Sequence, residues 1–331
     1  MSQNRMLAII AAVISISCQP AYSATVSAIV AFGDSLSDLG NTAASIFPND
    51  LTGYNPYYYD QGRWSNGPLW VENLARQMSL NALQRNDGTN LYGTDFAWAG
   101  STSGTGYSYY YLANLQQQVK FYIALLTTKY AQIPDIKTTL FTVWSGGNDV
   151  LYYTQDDTPI TAQKMCDNIA AAVTALYNAG GRSFIVPNLP PLGDKPNYRG
   201  TKYQDKANDL INMYNPLLQT RLMQLQSQLT GITIVAFDAY QAFKAVLMNP
   251  QDYKLTNVTD PAFVPNSNPF RQYGSVVANP DQYMFWDDTH PTRVGHAIIA
   301  KFLENALAIT PGSQLGLRNQ PTSSLLLAGS Q

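Results

Sequence analysis

The chain has 331 residues, of which 45% are hydrophobic and 13% charged, and its formal net charge is −2. This composition excludes an intrinsically disordered chain and predicts a globular protein with a large buried core. The small net charge gives no electrostatic footprint for nucleic acid or for an anionic membrane surface.

Residues 1–23 have the pattern of a secretory signal peptide. Arg5 supplies a positive charge, residues 6–16 form an apolar stretch too short to span a bilayer, and residues 21–23 fit a small-x-small cleavage site. We therefore expect a secreted protein, extracellular or periplasmic, whose mature chain begins at Ala24. No second hydrophobic stretch predicts an integral membrane span.

The remainder, residues 24–331, is predicted to be a single domain with an irregular tail from about residue 311. Apolar, β-branched runs alternate along it with amphipathic segments. Strands are predicted at 28–32, 95–101, 139–144, 183–187 and 232–237, and helices at 112–130, 161–178, 204–228 and 295–309, with a further helix opening at 65–68. This alternation predicts an α/β fold, a parallel sheet with helices on both faces.

A flavodoxin-like strand order, 2-1-3-4-5, would place a crevice at the carboxyl ends of the first and third predicted strands. Two long segments rich in Pro, Asn and Tyr, residues 38–64 and 250–285, are predicted as loops that flank this crevice. Their tyrosines suit contacts with sugars or lipid head groups, and equally a soluble surface. Residues 64–67 are interpreted as a helix cap alone.

Ser35 lies in Gly33-Asp34-Ser35, directly after the first predicted strand, and Asp287-x-x-His290 lies near the end of the chain. A serine, a histidine and a carboxylate are the parts of a nucleophilic hydrolase triad. Asp287 is three residues before His290, close enough to hold the imidazole, and Asp288 is its rival.

Other residues that could carry chemistry are predicted to be structural. Asp34 is expected to make hydrogen bonds rather than to act as an acid, and His296 is expected to be structural on the last helix. Cys18 would leave with the signal peptide, so that Cys166 would be a buried apolar residue without a disulfide partner. The chain therefore offers no ligand set for a metal, and no phosphate-binding or dinucleotide fingerprint predicts a cofactor.

Four ordered motifs in residues 28–306 resemble those of the GDSL, or SGNH, family of serine esterases and lipases. They are Gly33-Asp34-Ser35-Leu36, Gly100 in Ala99-Gly100-Ser101, Gly147-Asn148-Asp149, and Asp287-x-x-His290. The resemblance implies an SGNH-hydrolase fold and favours Asp287 over Asp288. It also implies an oxyanion hole formed by the Ser35 N–H, the Gly100 N–H and the Asn148 side-chain amide.

Residues 37–41 and 65–68 resemble the longer secreted branch of this family, which includes bacterial phospholipases and acyltransferases, plant lipases and sugar acetylesterases. The resemblance implies a secreted hydrolase of lipid acyl esters, similar to a lysophospholipase or phospholipase A, that works through an acyl-enzyme. Its partners would be an ester substrate and, transiently, a membrane surface.

Three alternatives remain open at this stage. A carbohydrate O-acetylesterase would suit the tyrosine-rich loops equally well. A glycerophospholipid:sterol acyltransferase would need the same triad and an acceptor pocket. A non-catalytic binding module on a hydrolase scaffold is disfavoured, because such a module has no chemical need for Ser35, His290 and Asn148 together.

Overall fold

The structure, a computed structural model, describes residues 26–46, 59–86, 90, 93–108, 112–128, 133–265 and 274–307. The predicted signal peptide, its cleavage site, Cys18 and the predicted tail lie outside the described residues, as do parts of both predicted loops. Among the helices that the structure describes, none is both long and apolar enough to cross a bilayer.

Four parallel strands form the central sheet in the order β1-β2-β3-β4. They are β1 (Ala28–Gly33), β2 (Thr139–Trp144), β3 (Ser183–Pro187) and β4 (Thr233–Phe237). β2 and β3 are buried along their whole length. Continuous apolar strands of this kind are typical of a parallel sheet covered on both faces.

The predicted strand at 95–101 is wrong as an element. The segment contacts the free edge of β1 through a parallel bridge between Ala31 and Asp95, with hydrogen bonds from Ala31 N to Thr94 O and from Phe96 N to Ala31 O. One further hydrogen bond follows, from Trp98 N to the Gly33 carbonyl oxygen at 3.2 Å. The Gly33 N–H, however, donates to Gln118 Oε1 and not to this segment, so the pairing ends there. The predicted neighbour of β1 is therefore present only as a short contact.

Eight α-helices are found in the part of the chain that the structure describes. They are α1 (Asn41–Ile46), α2 (Trp70–Gln77), α3 (Leu115–Leu125), α4 (Gly147–Gln155), α5 (Ala162–Asn178), α6 (Tyr203–Gln228), α7 (Ala239–Met248) and α8 (Arg293–Leu307). Sequence patterning missed α1, α4 and α7. The start of α7 is nonetheless capped by the Asp238 side chain, which accepts a hydrogen bond from Gln241 N.

Two apolar cores lie on opposite faces of the sheet. Successive residues of β1 point to opposite sides, so that Val30 and Phe32 pack with α3, α5 and α6 while Ile29 and Ala31 pack with α2, α7 and α8. Cys166 is buried in the first core, as predicted, and burial raises the pKa of its thiol to about 12.

The predicted loop at 250–285 contains four short strands, so its interpretation as an irregular loop is wrong in part. They are β5 (Asn257–Pro261), β6 (Phe263–Pro265), β7 (Gly274–Val276) and β8 (Tyr283–Phe285). β5 pairs with β8, and β6 pairs with β7. Their side chains contribute to a third, mainly aromatic cluster that includes Tyr59, Phe263 and Trp286.

Candidate active site

The paired strands β1 and β2 end at the same edge of the sheet. Gly33 is opposite Trp144 in the register of these strands, so the turn that carries Ser35 and the segment that leads into α4 and Asn148 begin side by side. The backbone φ of Gly33 is +153°. A Cβ atom added at Gly33 would lie only 2.1 Å from the Trp144 carbonyl oxygen. Only glycine permits this close approach of the two strand ends.

The turn after β1 is held by Asp34, which makes structural hydrogen bonds as predicted. Its carbonyl oxygen accepts hydrogen bonds from Ser37 N and Asp38 N, and its Oδ1 accepts one from Leu36 N at 3.1 Å. Burial raises the pKa of Asp34 to about 6. Asp34 thus stabilises the turn that carries Ser35 through both its backbone carbonyl oxygen and its carboxyl group.

Ser35, His290 and Asp287 lie within hydrogen-bonding distance of one another in series. His290 Nε2 is 2.9 Å from Ser35 Oγ, and His290 Nδ1 is 2.9 Å from Asp287 Oδ2. Asp287 is fully buried, and its Oδ1 accepts hydrogen bonds from the backbone N–H groups of Thr289 and His290 at 2.8 and 2.7 Å. The fold therefore brings together the three residues that the sequence motifs selected, although Ser35 and His290 are 255 positions apart in the chain.

The rival carboxylate, Asp288, has other contacts. Its Oδ1 accepts a hydrogen bond from Thr289 Oγ1 at 3.1 Å, and its carbonyl oxygen accepts one from Asn197 N at 3.0 Å. Asp287, rather than Asp288, contacts the imidazole.

Gly100 and Asn148 are linked to the Ser35 turn by hydrogen bonds through Ser101. Asn148 Nδ2 donates to the Ser101 carbonyl oxygen at 2.9 Å, and Ser101 Oγ donates to the Gly33 carbonyl oxygen at 2.7 Å. Gly100 has a φ of +75°, and its carbonyl oxygen accepts a hydrogen bond from the Tyr152 hydroxyl group. The bond to Ser101 fixes the orientation of the Asn148 amide. The amide nitrogen carries two hydrogens, so one N–H remains that can donate to another acceptor.

Two aromatic residues make contacts in this region that the sequence did not predict: Tyr59 was expected only in a loop that flanks the crevice, and Trp64 only in a helix cap. The Tyr59 hydroxyl group donates a hydrogen bond to Asp287 Oδ2 at 2.9 Å, and the Trp64 ring lies 5.2 Å from the His290 ring between centroids. No sequence spacing relates Tyr59 or Trp64 to residues more than 200 positions away. The only available signal was their place in a long loop that follows the predicted nucleophile.

The interpretation of residues 64–67 as a helix cap alone is wrong. α2 begins after Leu69, whose backbone N–H is accepted by Glu72. Ser65 Oγ instead donates to the Pro291 carbonyl oxygen at 2.9 Å, and Asn66 Oδ1 accepts a hydrogen bond from Arg293 N at 2.7 Å. These residues therefore contact the segment that carries His290.

His296, the second histidine, is buried in the packing between α2 and α8. Its Nδ1 accepts a hydrogen bond from Trp70 N at 3.2 Å, and burial lowers its pKa to about 3, so the ring is neutral. In the described ranges, no group of three or more His, Cys, Asp or Glu side chains is arranged to hold a metal ion.

An apolar cleft lies beside Ser35 and His290. Leu36, which follows Ser35, and Pro291, which follows His290, both line it. The remaining wall is almost entirely apolar and is formed by Pro190, Pro191, Leu192, Lys195, Phe243, Leu247, Phe285 and Thr289. The cleft therefore offers apolar surface at the residues that follow Ser35 and His290, although Ser35 and His290 themselves do not line it.

Comparison with known proteins gives the class. The sequence model of the GDSL-like lipase/acylhydrolase family matches residues 29–303, and the chain belongs to this family. It is a carboxylic ester hydrolase with an α/β fold.

Three curated relatives are similar over most of this chain. Thermolabile hemolysin of Vibrio parahaemolyticus is 27% identical over 84% of the chain, which spans 63% of that protein. Phosphatidylcholine-sterol acyltransferase of Aeromonas hydrophila is 28% identical, covering 86% of this chain and 89% of that one. A GDSL esterase/lipase of Arabidopsis thaliana is 29% identical, and the match covers 82% of this chain and 87% of that protein.

Solved structures of esterases are also similar to the chain. A GDSL-like lipase from Parabacteroides merdae is 14% identical, covers 86% of this chain and 96% of its own, and has a TM-score of 0.49. An acetylxylan esterase from Geobacillus stearothermophilus is 14% identical, covers 84% and 93%, and has a TM-score of 0.44.

Proposed function

We propose that this protein hydrolyses acyl esters of lipids, with lysophospholipid or phospholipid as substrate, through an acyl-enzyme on Ser35. The observation that carries the proposal is the series of hydrogen-bonding contacts from Ser35 Oγ through His290 to Asp287. The pattern of residues 1–23 supports export as part of the same proposal.

In the first half of the reaction, Ser35 Oγ attacks the ester carbonyl carbon while His290 Nε2 takes the hydroxyl proton. The tetrahedral intermediate collapses, the bond to the leaving alcohol breaks, and His290 Nε2 returns the proton to that alcohol. In the second half, His290 Nε2 takes a proton from water, whose oxygen attacks the acyl-enzyme. Collapse then releases the carboxylic acid and returns the proton to Ser35.

Asp287 has the role of orienting the histidine. With Asp287 accepting from Nδ1–H, the neutral imidazole presents an unprotonated Nε2 to Ser35, and the imidazolium that forms during attack is stabilised by the buried carboxylate. The geometry around Asp287 Oδ1 favours this, because two backbone N–H groups hold that oxygen in place.

The developing oxyanion would be stabilised by the N–H groups of Ser35 and Gly100 and by the Asn148 amide. Support comes from the bond between Asn148 and Ser101, which orients the amide before substrate arrives. Donors that are fixed in advance lower the barrier because they need no reorganisation during the reaction.

Relatives named as a lipase and a phosphatidylcholine-sterol acyltransferase support a lipid acyl chain over acetyl. The apolar lining of the cleft suits such a chain. Acyl transfer to an alcohol is the second candidate, and the similarity to the acyltransferase is the observation that favours it. In that reaction the acceptor alcohol replaces water in the second half.

The test measures kcat/KM for p-nitrophenyl esters from acetyl to palmitoyl, and products from lysophospholipid with and without a sterol. Burial of each CH₂ contributes about 0.8 kcal/mol, so kcat/KM should rise several-fold for every two methylenes until the cleft is filled. Leu247→Ala, in the wall of the cleft, should reduce kcat/KM for long chains and leave acetyl ester turnover unchanged. A maximum at acetyl without lysophospholipid turnover would instead identify an acetylesterase, and failure of Ser35 to react with a fluorophosphonate would identify a binding module.

A further inference from the structure

The segment of residues 59–66, here called the bracing segment, contacts the catalytic residues of the proposed function from outside the sheet. Tyr59 bonds to Asp287, and the Trp64 ring lies against the His290 ring. Ser65 and Asn66 then bond to the backbone of residues 291 and 293. The bracing segment therefore makes four successive contacts with residues 287–293, the stretch that carries Asp287 and His290.

The Tyr59 side chain is fixed by aromatic neighbours. It is 1% exposed, and it meets the rings of Trp64, Phe263 and Trp286 edge-on at centroid distances of 5.9, 5.7 and 6.4 Å. Edge-to-face packing on several sides restricts rotation of the ring. The hydroxyl group is consequently held toward Asp287, and the backbone of Trp286, the residue before Asp287, is itself bonded to His290.

The bracing segment is anchored to the body of the protein. Arg63 makes a two-pronged contact with Glu72 of α2, with Nε and Nη2 each 2.8 Å from a carboxylate oxygen. Asp60 N donates a hydrogen bond to the Ser65 carbonyl oxygen, which closes the segment on itself. Bidentate arginine–carboxylate pairs impose a defined geometry, so movement of the segment relative to α2 is restricted.

We propose that Tyr59 is a positioning residue for the Asp287–His290 pair, an inference that rests on the proposed function. Asp287 is fully buried, and both the Tyr59 hydroxyl group and His290 Nδ1 lie 2.9 Å from its Oδ2. The phenol hydroxyl group fixes the plane of the carboxylate in the orientation that contacts His290 Nδ1, and so keeps Nε2 directed at Ser35. Tyr59 acts through Asp287 and does not touch the substrate.

The first experiment compares Tyr59→Phe with Tyr122→Phe. Tyr122 is also a buried tyrosine, but its hydroxyl group has no hydrogen-bond partner within the described residues, so it is a matched control. Loss of a hydrogen bond to a charged group should reduce kcat of Tyr59→Phe by about 10-fold. KM should stay within about two-fold, because substrate contacts are unchanged, and the control should keep both constants.

Rates are expressed per competent site, counted by stoichiometric fluorophosphonate labelling well below the melting temperature. A lower folded fraction is then not mistaken for a lower kcat. An unchanged kcat in Tyr59→Phe, or an equal loss in Tyr122→Phe, would overturn the inference.

The second experiment is a double-mutant cycle with Asp287→Ala. If Tyr59 acts through the carboxylate, Tyr59→Phe should cause no further loss of kcat once Asp287 is removed. Losses that multiply would show that Tyr59 acts independently of Asp287 and would overturn its assignment as a positioning residue. Failure of the proposed function itself is distinguishable, because it would appear as retained activity in folded Ser35→Ala whatever the behaviour of Tyr59.

Discussion

Gln118 pairs with the backbone of Gly33 through both ends of its side-chain amide. Its Oε1 accepts a hydrogen bond from Gly33 N at 2.9 Å, and its Nε2 donates to the Gly33 carbonyl oxygen at 2.8 Å. A side chain of α3 thus satisfies the end of β1 where no neighbouring strand continues. The turn that carries Ser35 begins from this fixed point.

Replacing Gln118 by methionine should therefore destabilise the fold. The Gly33 carbonyl oxygen keeps donors from Ser101 and Trp98, but the Gly33 N–H loses its acceptor. A buried N–H without a partner costs roughly 1–3 kcal/mol, which should appear as a lower free energy of unfolding in urea. Gln117→Met on the same helix is the control, and an equal effect there would contradict the assignment to Gly33.

Ser35→Ala and His290→Ala should each reduce kcat by about 10⁴-fold or more in a folded protein, since residues of a triad act as a unit. The double variant should be little worse than either single one. Hydrolysis of p-nitrophenyl esters checks this, with folding followed by circular dichroism. If the fold-losses of the two single variants multiplied in the double variant, Ser35 and His290 would not be acting in the same step.

Asp287→Asn should impair activity far more than Asp288→Asn. Asp287 contacts His290 Nδ1, whereas Asp288 bonds to Thr289 and, through its backbone, to Asn197. An asparagine at 287 would favour the wrong tautomer of the imidazole, at a cost of roughly 10⁴ in kcat. The measurement is kcat at neutral pH for both variants, and equal losses would reverse the choice of carboxylate.

Asn148→Ala should reduce kcat by about 10²–10³-fold, the usual cost of one oxyanion donor. Gln116→Ala serves as the control, because Gln116 also donates to a neighbouring carbonyl oxygen, that of Ser103, without contact to the proposed site. Single-turnover acylation rates are measured for both variants, and only Asn148→Ala should be slow. A comparable loss in the control would assign the effect to loop structure.

Asp34→Asn should flatten the dependence of stability on pH. Burial raises the pKa of Asp34 from 3.8 to about 6 in the folded protein, so the folded state binds the proton more tightly. This contribution is present at low pH and is lost as the pH rises from about 4 to about 6. Between pH 4 and 7 the wild type should lose about 2 kcal/mol more of its free energy of unfolding than the variant. The free energy of unfolding is measured by urea titration at each pH. Parallel pH dependences for the wild type and the variant would refute the raised pKa of Asp34.

The sequence was sufficient for the parts of the fold and site that local patterns encode. Ser35 and Asn148 follow apolar runs that form strands, and the spacing of Asp287 to His290 places both on one turn. Each of these features depends on residues within a few positions of one another.

Tyr59 and Gln118 are different, because their roles arise only from contacts across 228 and 85 positions of the chain. Neither a buried tyrosine nor a helical glutamine has a distinctive spacing. The strand predicted at 95–101 failed for a related reason. Its apolar pattern was correct, but the Gly33 N–H of β1 donates to the distant Gln118 side chain instead of to this segment, which ends the pairing.

The two halves of the site are built on different kinds of structure. Ser35 follows a buried strand of the central sheet, whereas Asp287 and His290 lie on an irregular stretch between β8 and α8. This stretch is buried and is held by the bracing segment, so its opening on warming depends on that segment rather than on the central sheet. Loosening of the bracing segment would therefore lower turnover at temperatures where spectroscopy of the sheet still records a native protein.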